Sequence, residues 1–224
     1  EEPVDRWSED PGTVSVHTNR HPYETGRLLI AAGAWTNRLL RLPGRLLMPK
    51  RVPVHWVKAP EDQGFHLGRF PVNFWQIPSE KRLSSPQGYR EFYALPVIDR
   101  TSQIKIAFHN ELADCDPIRM NREILPEEVA KIRAIISQFF PGLHQRPITS
   151  EVCMYTMTPD GHFYLGKRPG SNHVFGVALA GHGFKFAPVL GEIVADLMTD
   201  IAPAVDIDIF SPDRFSTDKS ISEK

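Results

Sequence analysis

Two cysteines, Cys115 and Cys153, are too few to build a disulfide-stapled fold from 224 residues. The count still permits one bridge between them. Neither cysteine stands in a Cys/His spacing of the metal-binding kind, so no metal is expected. Long hydrophobic runs are missing as well. The longest, Val174 to Ala180, is far shorter than the ~20 residues that span a bilayer, so no membrane segment is expected. Charge of one sign is not in excess: 26 Lys and Arg face 27 Asp and Glu, for a net charge of −1. Nothing in that balance favours a nucleic acid or an anionic membrane surface as partner. No internal repeat and no low-complexity segment is visible, and the sequence opens on Glu1-Glu2-Pro3 with no methionine there and no targeting segment expected among these residues. The cysteine usage suits a reducing compartment, so a cytoplasmic location is the expectation.

What is present reads as an α/β chain. Thr13 to His17 alternates as a strand, and Arg27 to Gly33 is apolar enough for a strand buried on both faces of a parallel sheet. A short helix, Ala34 to Leu40, follows with Thr36 as its cap. From about residue 50 the character changes. Arg51 to Val57, Val72 to Ile77, Glu91 to Leu95 and Gln103 to His109 are short strands separated by Pro, Gly and Ser, the pattern of an antiparallel layer. Pro126 opens a helix to about Phe140 with Val129, Ile132, Ile136 and Phe139 on one stripe and Glu127 and Glu128 in its first turn. Pro141-Gly142 ends it. Strands return at Glu151 to Met157, His162 to Leu165 and Val174 to Ala180. A last helix over Lys185 to Met198 follows, with Phe186, Val189, Leu190, Ile193 and Leu197 on one side and Pro188 in its first turn. Residues beyond Thr199 read as a loose tail. The organisation is a discontinuous α/β layer, roughly 1–45 and 149–224, with an inserted antiparallel sheet and helix over 46–148.

Three segments carry chemistry-bearing residues. In Val152-Cys153-Met154-Tyr155-Thr156-Met157 the strand period puts Cys153, Tyr155 and Met157 on one face. A lone cysteine is most often a small buried hydrophobe, and the spacing alone favours that reading. Gly181-His182-Gly183-Phe184-Lys185-Phe186 places a glycine turn and a lysine between a buried strand and a helix start. Unpaired N–H groups there attract negative charge, although a plain connecting turn with a solvated lysine has the same pattern. In Ile104-Lys105-Ile106-Ala107-Phe108-His109 the apolar residues share one face and Lys105, Ala107 and His109 the other, as in any half-solvated strand.

Taken together, these segments resemble the monomeric sarcosine oxidase and N-methyltryptophan oxidase family, FAD-dependent amine oxidases of the D-amino-acid oxidase superfamily. Cys153-Met154-Tyr155-Thr156, Asp160 and His162-Phe163 match the family's covalent-flavin segment, with Gly161 in place of an expected glutamate. The resemblance implies FAD bound through a thioether at Cys153 with Met154 beside it. A thiolate would be required, so a cation or a positive helix end should lower the thiol below its usual ~8.5. Gly181, His182, Gly183, Phe184 and Lys185 would lie at the flavin's electron-rich edge. Ala31-Ala32-Gly33-Ala34-Trp35 matches a strand and turn near the cofactor, implicating Gly33, Ala34 and Trp35. Lys105 would promote electron transfer to O2, and His109, Tyr93 and Tyr155 would line the substrate pocket. An extra residue between Pro96 and Lys105 weakens the match at Tyr93.

The implied fold is the C-terminal part of an FAD-binding Rossmann-like domain with an inserted antiparallel-sheet substrate domain. The implied reaction is oxidation of a secondary amine or N-methyl amino acid, with O2 reduced to H2O2. The resemblance covers the C-terminal portion of a typical member. No Gly-x-Gly-x-x-Gly after a strand occurs in these residues, and that loop normally holds the pyrophosphate. A completing N-terminal part is therefore an expected partner. Two alternatives stay open: an inert remnant or binding module of the same fold, and a noncovalent-flavin amino-acid oxidase or dehydrogenase. Pocket volume, and with it the substrate, is expected to depend on the loop Ser79 to Gly88.

Overall fold

The computed structural model describes residues 1–61, 64–78, 88–98 and 101–216. Most of the Ser79 to Gly88 loop, 79–87, lies outside the described residues. The architecture is mixed α/β, and the chain divides into a discontinuous unit, Glu1–Pro49 with Tyr155–Lys224, and a continuous unit, Lys50–Met154.

The discontinuous unit opens with an antiparallel meander of β1 (Val4–Asp10), β2 (Thr13–Thr18) and β3 (Pro22–Thr25). The sequence pattern reveals only β2. In β1 Trp7 alone is buried and β3 is largely exposed, so neither shows apolar alternation. A second sheet joins β4 (Leu28–Ile30), β11 (Tyr164–Lys167) and β12 (Val174–Ala178) in the order β11-β12-β4. β12 runs parallel to β4 and antiparallel to β11. The expected strand Arg27 to Gly33 is thus three residues long, and it is not buried on both faces: Leu29 is 36% exposed. Trp7, Val14, Leu40, Leu47, Tyr164 and Val174 form one core, and Phe163, Leu165, Leu190, Ile193 and Val194 a second.

Helix α1 (Thr36–Leu40) follows a 3-10 turn, Gly33–Trp35. Thr36 is not its cap. Trp35 occupies that position, and the Thr36 hydroxyl is buried without a hydrogen-bond partner. The last helix also starts later than its sequence suggests, because Phe184–Phe186 is a 3-10 turn and α3 covers Ala187–Met198. Its buried face centres on Leu190, Ile193 and Val194, leaving Phe186 and Val189 exposed. Leu190 and Ile193 of the expected stripe are buried and Leu197 packs on the same core, with Val194 in place of Phe186 and Val189. Nor are residues beyond Thr199 loose as far as Ser216. Ile207 and Phe210 pack on the second core, Phe215 packs on the first, and Arg214 binds Asp160 and the carbonyls of His162 and Phe163.

The continuous unit is built on the sheet order β10-β5-β8-β7-β6, from β5 (Met48–Lys58), β6 (Asn73–Pro78), β7 (Tyr89–Leu95), β8 (Gln103–Phe108) and β10 (Pro147–Met157), with β9 (Ala113–Asp114) on β5. The β5–β8, β8–β7 and β7–β6 pairs are antiparallel, as the short Pro- and Gly-bounded runs predict. Helix α2 (Pro126–Phe139) contributes Ile132, Ile135 and Ile136 to a core with Val57, Phe92, Ala94, Ile104 and Ile106. Full burial of each such side chain stabilises by roughly 1.5–3 kcal/mol. Glu128 completes the helix start by accepting from Leu125 N at 2.8 Å.

Candidate functional site

Register sorts the continuous unit's sheet into two faces. Directly opposed residues share a face, and His55 opposite Ile106, Ala94 opposite Ile106 and Phe92 opposite Phe108 belong to the face packed with α2. On the other face Trp56 and Leu95 flank Lys105, Tyr93 stands opposite Ala107, and Phe74 stands opposite Tyr93. Lys105 Nζ lies 5.4 Å from the centre of the Trp56 ring, a cation–π distance. His109 follows the end of β8, where its N–H donates to Glu91 O at 2.7 Å and its ring meets Phe74 edge-on at 5.3 Å. Lys105, His109 and Tyr93 are therefore gathered on one aromatic-rich face. Trp56 and Phe74 belong to the same group and were not legible beforehand, because cross-strand register is not written in the local pattern. Phe74 is 55% exposed, which is unusual for so large an apolar ring.

Cys153 and Met154 lie on β10 and are half-buried. Both cysteines are free, which settles the bridge left open by count. The two thiols differ in surroundings. Burial and the flanking Asp114 push the Cys115 thiol up, which favours its protonated form. Cys153 is half-buried like Cys115, and no described residue hydrogen-bonds to its thiol.

In the discontinuous unit the two predicted turns sit at the same end of the sheet. β4 and β12 are parallel, so the Gly33–Trp35 turn and the Gly181–Phe186 turn both leave their carboxyl ends. That end is where open α/β sheets take ligands. Gly33 has φ +53° with open space where a Cβ would be, and Gly181 has φ +75°. Gly181 serves an internal purpose too, since an added Cβ would overlap the Tyr155 ring, and one at Gly183 would overlap Leu179. The close approach that Gly181 and Gly183 permit is thus made, on the described side, to protein. Ala34 is buried, Trp35 is 40% exposed and Phe184 is 95% exposed. Lys185 donates to His182 O at 2.8 Å from within the 3-10 turn, so it does not open the α-helix as expected. His182 packs on Phe163, ring centres 4.8 Å apart.

Asp160 and His162-Phe163 have a structural explanation. Burial works against the Asp160 carboxylate, but Arg214 and the His162 N–H hold it below the usual range. The motif thereby closes its own turn and fastens the segment around Arg214.

The discontinuous unit by itself has residues that fit an FAD group: two glycine turns at the carboxyl end of a parallel pair, with uncovered rings at Trp35 and Phe184. The continuous unit by itself carries a free, half-buried thiol on β10. Comparison with known proteins agrees. The family model described as FAD dependent oxidoreductase matches residues 1–197. The chain is 33% identical over 220 residues to a monomeric sarcosine oxidase of Streptomyces avermitilis, covering 96% of this chain and 55% of that protein. It is 29% identical over 217 residues to an N-methyl-L-tryptophan oxidase of Salmonella agona, covering 96% of this chain and 54% of that one. Among solved structures, NikD, an unusual amino acid oxidase essential for nikkomycin biosynthesis, superposes with a TM-score of 0.75 at 21% identity, over 94% of this chain and 54% of that chain. The chain thus spans about half the length of the curated relatives it matches.

Proposed function

The chain belongs to the FAD dependent oxidoreductase family, and from that premise we propose that it is part of an enzyme oxidising secondary amines of the N-methyl amino acid type, with O2 reduced to H2O2. Residues 1–45 and 149–224 would serve the cofactor and 46–148 the substrate. The nucleotide-gripping Gly-x-Gly-x-x-Gly loop is not among these residues, so in this reading further polypeptide completes the cofactor site.

The observation that supports the reading best is the sheet face carrying Trp56, Phe74, Tyr93 and Lys105 with His109 at its edge. A mainly aromatic face bearing the ammoniums of Lys105 and, further along, Lys58 disfavours a further positive charge. It therefore suits an amine that must be neutral to be oxidised. FAD, when bound, supplies the two-electron acceptor. Cys153 would tether it and Met154 would pack beside it. Gly33, Ala34, Trp35 and the Gly181-His182-Gly183-Phe184 turn would form its walls. Lys185 would offer its ammonium to the substrate carboxylate. His109, Tyr93 and Tyr155 would orient the amine, and Lys105 would stabilise negative charge developing on oxygen, a favourable term that grows as water is excluded.

Protein purified from its complete gene tests this directly. Acid precipitation should leave a yellow pellet, whereas Cys153→Ser should release the flavin to the supernatant. Colourless wild-type pellets with a yellow supernatant would remove the thioether and favour a noncovalent oxidase. A colourless protein giving no peroxide on sarcosine or N-methyltryptophan would favour the inert module. Lys105→Met should slow reoxidation by O2 by on the order of 100-fold, the size of one well-placed electrostatic contact.

A further inference from the structure

We propose that the discontinuous unit binds a small organic carboxylate between Arg41 and Arg168, at the opposite end of the β11-β12-β4 sheet from the two glycine turns. Arg168 stands in the β11–β12 hairpin before Val174, and Arg41 follows the carboxyl end of α1. A cavity of about 200 Å³ opens there, lined by both arginines together with Leu46, Pro169, Pro212 and Phe215.

Both guanidiniums are drawn to one indole. Arg41 Cζ lies 4.6 Å and Arg168 Cζ 5.8 Å from the centre of the Trp7 ring. Neither has a carboxylate within ion-pair distance among the described residues. Their partners are backbone carbonyls: Trp7 O for Arg41, and Leu40 O at 2.6 Å and Pro169 O at 3.0 Å for Arg168. A guanidinium carries five N–H donors, so both keep donors to spare. Two cations held on one ring repel each other, and carbonyl dipoles offset that only in part. An anion in the cavity would turn the repulsion into two charge-assisted contacts.

The walls narrow the class of anion. Leucine, proline and phenylalanine surfaces gain nothing from a bare inorganic oxyanion, but they would cover the apolar body of an organic acid. A cavity of ~150 Å³ is enough to bind benzene, so this one has room for a single-ring body. Arg168 as a partner of α1's last carbonyl accounts for that one residue. It accounts neither for Arg41 nor for the cavity. The inference does not depend on the flavin reading.

Calorimetric titration with benzoate at low salt tests it, with the neutral isostere benzamide and with inorganic phosphate as comparators. Benzoate should bind with a saturable heat that benzamide lacks. Arg41→Gln and Arg168→Gln should each weaken it at least tenfold, while Lys185→Gln leaves it in place. Arg168→Gln removes a carbonyl contact and can unfold the hairpin, so Ser216→Asp provides a second arm. It places a carboxylate at the cavity lining with both arginines intact and should abolish binding. The proposal is overturned if benzamide binds as well as benzoate, if the heat disappears in Lys185→Gln but survives both arginine variants, or if phosphate binds as tightly through the same arginines, an adventitious ion only.

Discussion

At the scale of single residues, His55 has the most marked titration behaviour in the continuous unit. Burial lowers it from 6.5 to about 4, partly opposed by Glu128, and its Nδ1 lies 2.8 Å from Ser150 Oγ. Between those two values the unfolded chain takes up the proton before the folded one does. The stability that neutral His55 contributes is therefore complete above pH 6.5 and is lost as pH falls towards 4. At ~1.4 kcal/mol per unit the loss has a ceiling of about 3.5 kcal/mol. Urea unfolding across this range should show the decline in the wild type and a flatter profile in His55→Gln. Equal slopes would mean that other groups cause it. Tyr164 presents a different case: burial pushes its hydroxyl up to about 12, and that hydroxyl has no partner. Its ring supplies the stabilisation in the core, and the orphaned oxygen costs about 1–3 kcal/mol against it.

At the scale of elements, the capping of α2 is bound up with its fastening to β5. Glu128 takes the N–H of Leu125 and also pairs with Arg51, which is 8% exposed and binds the carbonyls of Asn121 and Glu123 as well. Removing one partner leaves a buried cation without its anion. Glu128→Ala should lower the unfolding free energy by about 3–5 kcal/mol, readable as a shifted urea midpoint. A shift below 1 kcal/mol would show that water replaces the carboxylate. This helix was also the element most readily legible in the sequence, since Pro126, Glu128 and the isoleucine spacing all point the same way. β8 and its two faces were legible for the same reason. β1 and β3 were not, because their stability comes from ladder pairing rather than an apolar face. In the α3 stripe Leu190, Ile193 and Leu197 were legible, but Phe186 and Val189 are apolar yet exposed, and binary patterning treats every apolar residue as inward. Of the candidate site, Lys105, Tyr93 and His109 could be placed on strands from the sequence, but Trp56 and Phe74 joined them only once register was known.

At the scale of the whole molecule, a charge of −1 and a pI near 6.8 leave little electrostatic repulsion between copies at neutral pH. The same chain exposes Leu29, Trp35, Phe74 and Phe184. Light scattering at fixed concentration should therefore rise fastest near pH 7 and fall when the pH is raised to about 9, where net negative charge grows. Scattering that is flat with pH would show that these rings are covered in solution.

β10 has a consequence that concerns arithmetic rather than contact. It runs unbroken for 11 residues, Pro147–Met157, beside β5, and it carries Cys153. Side chains alternate along it, so what fixes the thiol's direction is whether the count of residues from the strand's first pairing is odd or even. A single codon lost between Pro147 and Val152 would present a neighbour of Cys153 where the thiol had been, although Cys153 itself is unchanged. Losing two would return the thiol to its face, two residues along the strand from where it had been. The chemistry assigned to that sulfur is thus protected by parity, and the strand keeps the count.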